Sequence, residues 1–120
     1  MPLNELLRDL VNGCGALSAL VMTADGFPLE EFRSHDPFDP DGCSVAFAII
    51  LKDTLKLVQS LRSGSLEELT VQTEKLRFVV RSLSGGAALL LLLPADGACG
   101  KARYLLSRDL PKFLEALKSA

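Results

Sequence analysis

The run Ala87-Ala88-Leu89-Leu90-Leu91-Leu92-Leu93 is apolar at every position, and its reading decides the fold. It is far shorter than the roughly 20 residues a helix needs to cross a bilayer. Ser84-Gly85-Gly86 precedes it and Pro94-Ala95-Asp96-Gly97 follows it, so it has the length and the boundaries of a strand. A strand with one wet face alternates apolar and polar residues, whereas one that is apolar throughout has both faces covered. The run is therefore predicted to be a central strand with helices packed on both sides of its sheet.

Reading outward, Leu76 to Leu83 is a second strand that enters the first through the Ser84-Gly85-Gly86 turn. Before it, Glu68-Leu69-Thr70-Val71-Gln72-Thr73 alternates strictly, as a half-buried strand does, and Glu74-Lys75 turns the chain between the two. Nearer the N-terminus, Ala16 to Thr23 and Phe27 to Phe32 flank Ala24-Asp25-Gly26. Asp-Gly between apolar runs predicts a tight hairpin of type I′, with positive φ at both central residues. Pro28 cannot donate to a ladder, which makes the return strand an edge.

Three helices fill the remainder. Leu3, Leu6, Leu7, Leu10 and Val11 recur at helical spacing until Asn12-Gly13. Ser44 to Leu61 is the longest, with a cap expected between Gly42 and Ser44. The last runs from Cys99 to Leu117, and Pro111 inside it predicts a kink or break near Asp109. The fold class is α+β: a five-stranded, mostly antiparallel sheet with helices on both faces, in the order α-β-β-α-β-β-β-α, as one domain over residues 1–120.

The long helix carries more apolar surface than one core contact uses. Phe47, Ile50, Leu51, Thr54, Leu57, Val58 and Leu61 make the expected core stripe, while Val45, Ala46, Ala48, Ile49 and Leu55 lie off it. The first half is therefore apolar all round, and such a helix asks for burial on two sides. The sheet covers one side, and something else must cover the other.

Composition narrows the functional classes. In 120 residues, hydrophobic types make up 48%, charged types 23%, and the formal net charge is −2. No overall field favours nucleic acid, and no basic run is present. Met1 to Glu5 lacks the order of a signal peptide, so the expected location is the cytoplasm, without membrane insertion. Cys14, Cys43 and Cys99 are too widely spaced for a zinc site and odd in number; they read as buried small apolar residues. His35, the sole histidine, sits in a Pro- and Asp-rich loop, without the second base that a nucleophilic triad uses. Gly13-Cys14-Gly15 has Ser18 where a dinucleotide fingerprint has its third glycine, and it precedes a strand. No phosphate loop occurs. No catalytic, cofactor or metal site is expected.

Several stretches together resemble the roadblock/dynein light-chain domain family. Gly15-Ala16-Leu17 and Val21-Met22-Thr23-Ala24-Asp25-Gly26-Phe27-Pro28-Leu29 resemble its opening hairpin. Gly64-Ser65-Leu66-Glu67-Glu68-Leu69-Thr70-Val71-Gln72 resembles its third strand. Leu89 to Leu93 with Gly97-Ala98-Cys99-Gly100-Lys101-Ala102-Arg103 resembles its last strand and the start of its last helix. Ala98 stands where the family often has Asn, and the chain stops at Ala120, where some motility-type relatives continue.

The resemblance implies twofold dimers that pair third strands edge to edge and long helices side by side. The expected interface is Val45, Ala48, Ile49 and Leu55 with Glu68, Leu69, Thr70, Val71, Gln72 and Thr73, so Ile49→Asp is expected to split the dimer. It also implies a regulator or scaffold of a small Ras-like GTPase, bound across the paired helices by Lys52, Lys56 and Gln59. Arg62 and Arg77 are conceivable arginine fingers, though relatives of the motility type need none. The alternatives are a passive light-chain-type subunit of a larger complex and, less favoured, a small-molecule sensor.

Overall fold

The computed structural model describes residues 1–34, 44–97 and 99–119. His35, Cys43, Ala98 and the residues ahead of Ser44 in the expected cap lie outside them. The elements are α1 (Leu3–Cys14), β1 (Ser18–Met22), β2 (Pro28–Arg33), α2 (Ser44–Leu61), β3 (Glu68–Gln72), β4 (Leu76–Ser82), β5 (Ala88–Pro94) and α3 (Cys99–Ser119). The five strands form one sheet in the order β2-β1-β5-β4-β3, and every pairing is antiparallel.

The apolar run is the central strand, as its composition requires. Leu89, Leu91 and Leu93 point to the layer of α1 and α3, where they meet Leu7, Leu10, Leu106 and Phe113. Leu90 points to the opposite layer, with Leu20, Met22, Val80, Phe47 and Leu51. β2 and β3 are the two edges.

α1 runs past Asn12-Gly13 and ends at Cys14, because the helix-closing residue is Gly15. Its φ of 70° is left-handed, and its N–H bonds the Val11 carbonyl. Gly13 serves instead as a packing surface: a Cβ there would lie 3.0 Å from Leu105 Cδ1 of α3. Cys14 is buried, and burial pushes its thiol pKa up. Cys99, expected to be buried, is half-exposed at the start of α3. α3 continues through Pro111 without a break. Pro111 and Ser107, whose carbonyl loses its donor, are both exposed, so water can satisfy the freed group.

The β1–β2 connection is a three-residue loop and not a type I′ turn. Thr23 N–H donates to the Phe27 carbonyl, and Gly26 N–H donates to the Thr23 carbonyl, both at 2.9 Å. The Thr23 hydroxyl accepts from Phe27 N–H at 3.1 Å. Gly26 has φ 85°, while Arg62 is the only non-glycine with positive φ among the described residues, so Asp25 keeps an ordinary conformation. This is a hairpin whose third loop residue is left-handed. The register then skips Leu29: Val21 faces Glu30 and Met22 faces Pro28.

α2 has the expected bounds but a different inner face. Ser44, Phe47, Ala48 and Leu51 are buried, a stripe at i, i+3, i+4 and i+7. The Phe47 ring packs on Phe78 of β4, centroids 5.0 Å apart, and Ser44 Oγ donates to the Gly26 carbonyl at 2.7 Å. These two anchors fix the rotation of the helix. Ala48, expected on the spare face, is therefore in the core. Ile50, Leu57 and Leu61, expected in the core, are 43%, 59% and 66% exposed.

Candidate functional site

Among the described residues, the outer edge of β3 pairs with no further strand, and much of the outer surface of α2 is exposed. β3 pairs with β4 on one side only. Its inner side chains are firmly placed. Leu69 packs into the α2 layer, while Glu68 and Thr70 alternate to the α3 side. There Arg103 Nε donates to both Glu68 oxygens, at 3.0 and 3.2 Å, and Arg103 Nη2 donates to Thr70 Oγ1 at 3.1 Å. The strand is thus braced from the α3 layer, and its outer backbone groups stay open among the described residues. Such an edge is a template for another strand.

α2 presents two uncovered stripes beside its buried one. Val45 and Ile49, each 58% exposed, share a line with Lys52 and Lys56 at helical spacing. Ile50, Leu57 and Leu61 share the opposite flank with Ala46 and Asp53. Leu55 is 37% exposed, between the first stripe and the core. Of the residues expected at a dimer seam, Val45, Ile49 and Leu55 are at the surface, Ala48 is not, and Glu68 to Thr73 follow the open edge.

Lys52, Lys56 and Gln59 are all exposed. Lys52 Nζ lies 3.7 Å from Asp25 at the β1–β2 loop, and both side chains are well exposed, so the pair adds little stability. It does show which flank looks toward that loop. Gly26 makes the close approach possible: a Cβ would stand 2.7 Å from Val45 Cα. Of the two arginines considered as fingers, Arg77 donates to Gln72 Oε1 at 2.7 and 3.1 Å. Arg62 caps the end of α2 with φ 52°.

The exposed apolar residues at 50, 57 and 61, and Phe27 at 67% exposure, were not legible as surface. The first half of α2 is apolar on all sides, so periodicity there does not set the rotation. The informative signal was Ser44, a polar residue placed to anchor the first turn.

Among the described residues, no group of three or more His, Cys, Asp or Glu side chains is placed to hold a metal ion. No helix among them is long and apolar enough to cross a membrane. The geometry offers surfaces for binding protein: an open strand edge and an exposed apolar helix.

The sequence pattern of the Roadblock/LC7 domain matches residues 2–93. No curated protein matches the chain. Among solved structures, MglC from Myxococcus xanthus is 34% identical, with 93% of this chain and 96% of that one covered and a TM-score of 0.66. The gliding protein MglB from Thermus thermophilus is 22% identical, with coverage of 97% and 88% and a TM-score of 0.87. A Roadblock/LC7 domain from Streptomyces avermitilis is 16% identical, with coverage of 95% and 99% and a TM-score of 0.77.

Proposed function

This chain belongs to the Roadblock/LC7 domain family, and from that premise we propose that it is a homodimeric protein-binding module that regulates or scaffolds a small Ras-like GTPase. It acts by binding, with no active site of its own. The observation that carries the reading is that, among the described residues, β3 is a sheet edge and α2 exposes outer apolar side chains in the same chain. Family membership is what points to a GTPase as the further partner.

β3 suits pairing with its own copy. A twofold axis at Thr70 sets Leu69 against Val71 and Glu68 against Gln72, and no like charges meet. β2, the other edge, does not suit it. It begins with Pro28 and is bulged at Leu29, and pairing with itself would set Glu30 against Glu31. A stable interface needs roughly 800 Å² per subunit, which the second copy would draw from β3 together with the exposed face of α2.

The test mixes the purified chain with the Ras-like GTPase encoded nearest to its gene. Co-elution and an altered rate of GTP hydrolysis mark a regulator, while co-elution with an unchanged rate marks a scaffold. Neither co-elution nor a change in rate removes the GTPase from the account.

A further inference from the structure

β3 and β4 exchange backbone hydrogen bonds through the odd-numbered residues of the β3 stretch. Thr73 N–H donates to the Leu76 carbonyl at 2.8 Å, and Ser82 N–H donates to the Glu67 carbonyl at 3.1 Å. Bonding direction alternates along an antiparallel strand, so Glu68, Thr70 and Gln72 turn their own N–H and C=O groups to the open side of the sheet. The same residues share the α3 face, where two arginines hold the outer side chains. Arg103 Nε donates to both Glu68 oxygens, and Thr70 Oγ1 donates to Glu68 Oε2 at 3.1 Å. Two residues on, Arg77 donates to Gln72 Oε1 through Nε and Nη2. Arginine only donates, so the Gln72 carbonyl oxygen faces it and the NH2 group faces elsewhere. That NH2 donates to no described residue.

We infer that Gln72 of each chain donates to Glu68 of a second copy, and that this reciprocal pair, held from behind by Arg77 and Arg103, selects the register and the partner strand of β3. The pairing rests on the homodimer proposed above and adds what fixes its seam. A twofold axis normal to the sheet keeps the α3 faces of both copies on one side. Only residues of the same face can then stand opposite one another, so the axis passes through a residue. At Thr70 it sets Glu68 against Gln72 twice, and every outward N–H and C=O of Glu68, Thr70 and Gln72 finds a partner within β3. Moved to Val71, it sets Glu68 against Glu74, carboxylate against carboxylate. Moved to Leu69, it sets Gln72 against Leu66, which offers the amide no side-chain acceptor. Residues directly opposite have Cβ atoms about 4.5–5.5 Å apart, within reach of an amide and a carboxylate. A carboxylate has about four lone-pair sites, so the bonds to Arg103 and Thr70 leave Glu68 able to accept one more. A strand with no acceptor where Glu68 stands, or with a carboxylate where Gln72 stands, would leave these groups unpaired or opposed. The edge thereby favours its own copy over other strands.

The test uses the full-length chain as wild type, Gln72→Glu, and the exchanged double variant Glu68→Gln/Gln72→Glu. Sedimentation equilibrium reads self-affinity, and circular dichroism verifies that each variant is folded. Gln72→Glu sets two carboxylates opposite each other twice in the dimer and should weaken self-association about tenfold. Added salt should narrow that gap. In the double variant the roles are exchanged: the new amide accepts from Arg103 and donates to the new carboxylate of the second copy, which Arg77 holds. Its self-affinity should return to within about threefold of wild type, the coupling expected of two residues in contact. Unchanged self-affinity in Gln72→Glu, or a double variant no tighter than the single one, overturns the pairing alone and leaves the dimer standing. A wild-type chain that keeps the mass of one chain up to about 100 μM overturns the homodimer and this pairing with it.

Discussion

Replacing Gly26 with alanine tests how the hairpin loop seats α2. Gly26 has φ 85°, and a side chain held in the left-handed region costs roughly 1–2 kcal/mol. The new Cβ would also stand 2.7 Å from Val45 Cα and 2.9 Å from the Ser44 carbonyl oxygen. Both obstacles are backbone atoms, so α2 must retreat as a body. Overpacking of this kind costs roughly 1–3 kcal/mol more. The expected loss is therefore about 2–5 kcal/mol, with Tm falling by about 3–5 °C per kcal/mol. Gly85→Ala is the control. Gly85 has φ 68°, and nothing lies within 4 Å of its Cβ position, so only the conformational cost, roughly 1–2 kcal/mol, applies. Urea unfolding at one fixed protein concentration measures both, since self-association links stability to concentration. Equal losses in the two variants would refute the claim that loop and helix are in close backbone contact.

Two further predictions concern the α1/α3 layer. Phe113 is fully buried against it, so Phe113→Ala should cost about 3–5 kcal/mol in the same unfolding assay. Asp109 is buried on α3 and accepts from Arg108 Nε at 3.0 Å and Nη2 at 3.2 Å. Those hydrogen bonds hold its pKa below the ordinary carboxylate value, against the opposing effect of burial. A folded pKa below the unfolded one gives stability that is present above the unfolded value and is lost as pH falls through the folded one. Asp109→Asn should flatten the acid side of the stability–pH curve; an unchanged slope would show that the carboxylate does not contribute there.

Much of the fold was legible because single segments carried unambiguous signals. The all-apolar run from Ala87 to Leu93 required a central strand, and Pro28 required an edge. The misses have more than one cause, and contacts distant in sequence decided the largest of them. The rotation of α2 follows from Phe47 on Phe78 and from Ser44 on Gly26, which local periodicity cannot report. The hairpin took its three-residue form through Thr23, which bonds to Phe27 and Gly26. α3 kept its course through Pro111 because that residue and Ser107 face water. At the candidate site, the alternation of Glu68 to Thr73 marked a half-buried strand. The brace from Arg103 to Glu68, 35 residues away, left no trace in the pattern.

The central claim is that β3 and the apolar flank of α2 need a second copy of the chain. Sedimentation velocity of the wild type tests it most directly. At low micromolar concentration the account predicts one boundary with the mass of two chains. A boundary with the mass of one chain, persisting up to about 100 μM, where an interface of ordinary strength would be saturated, contradicts it.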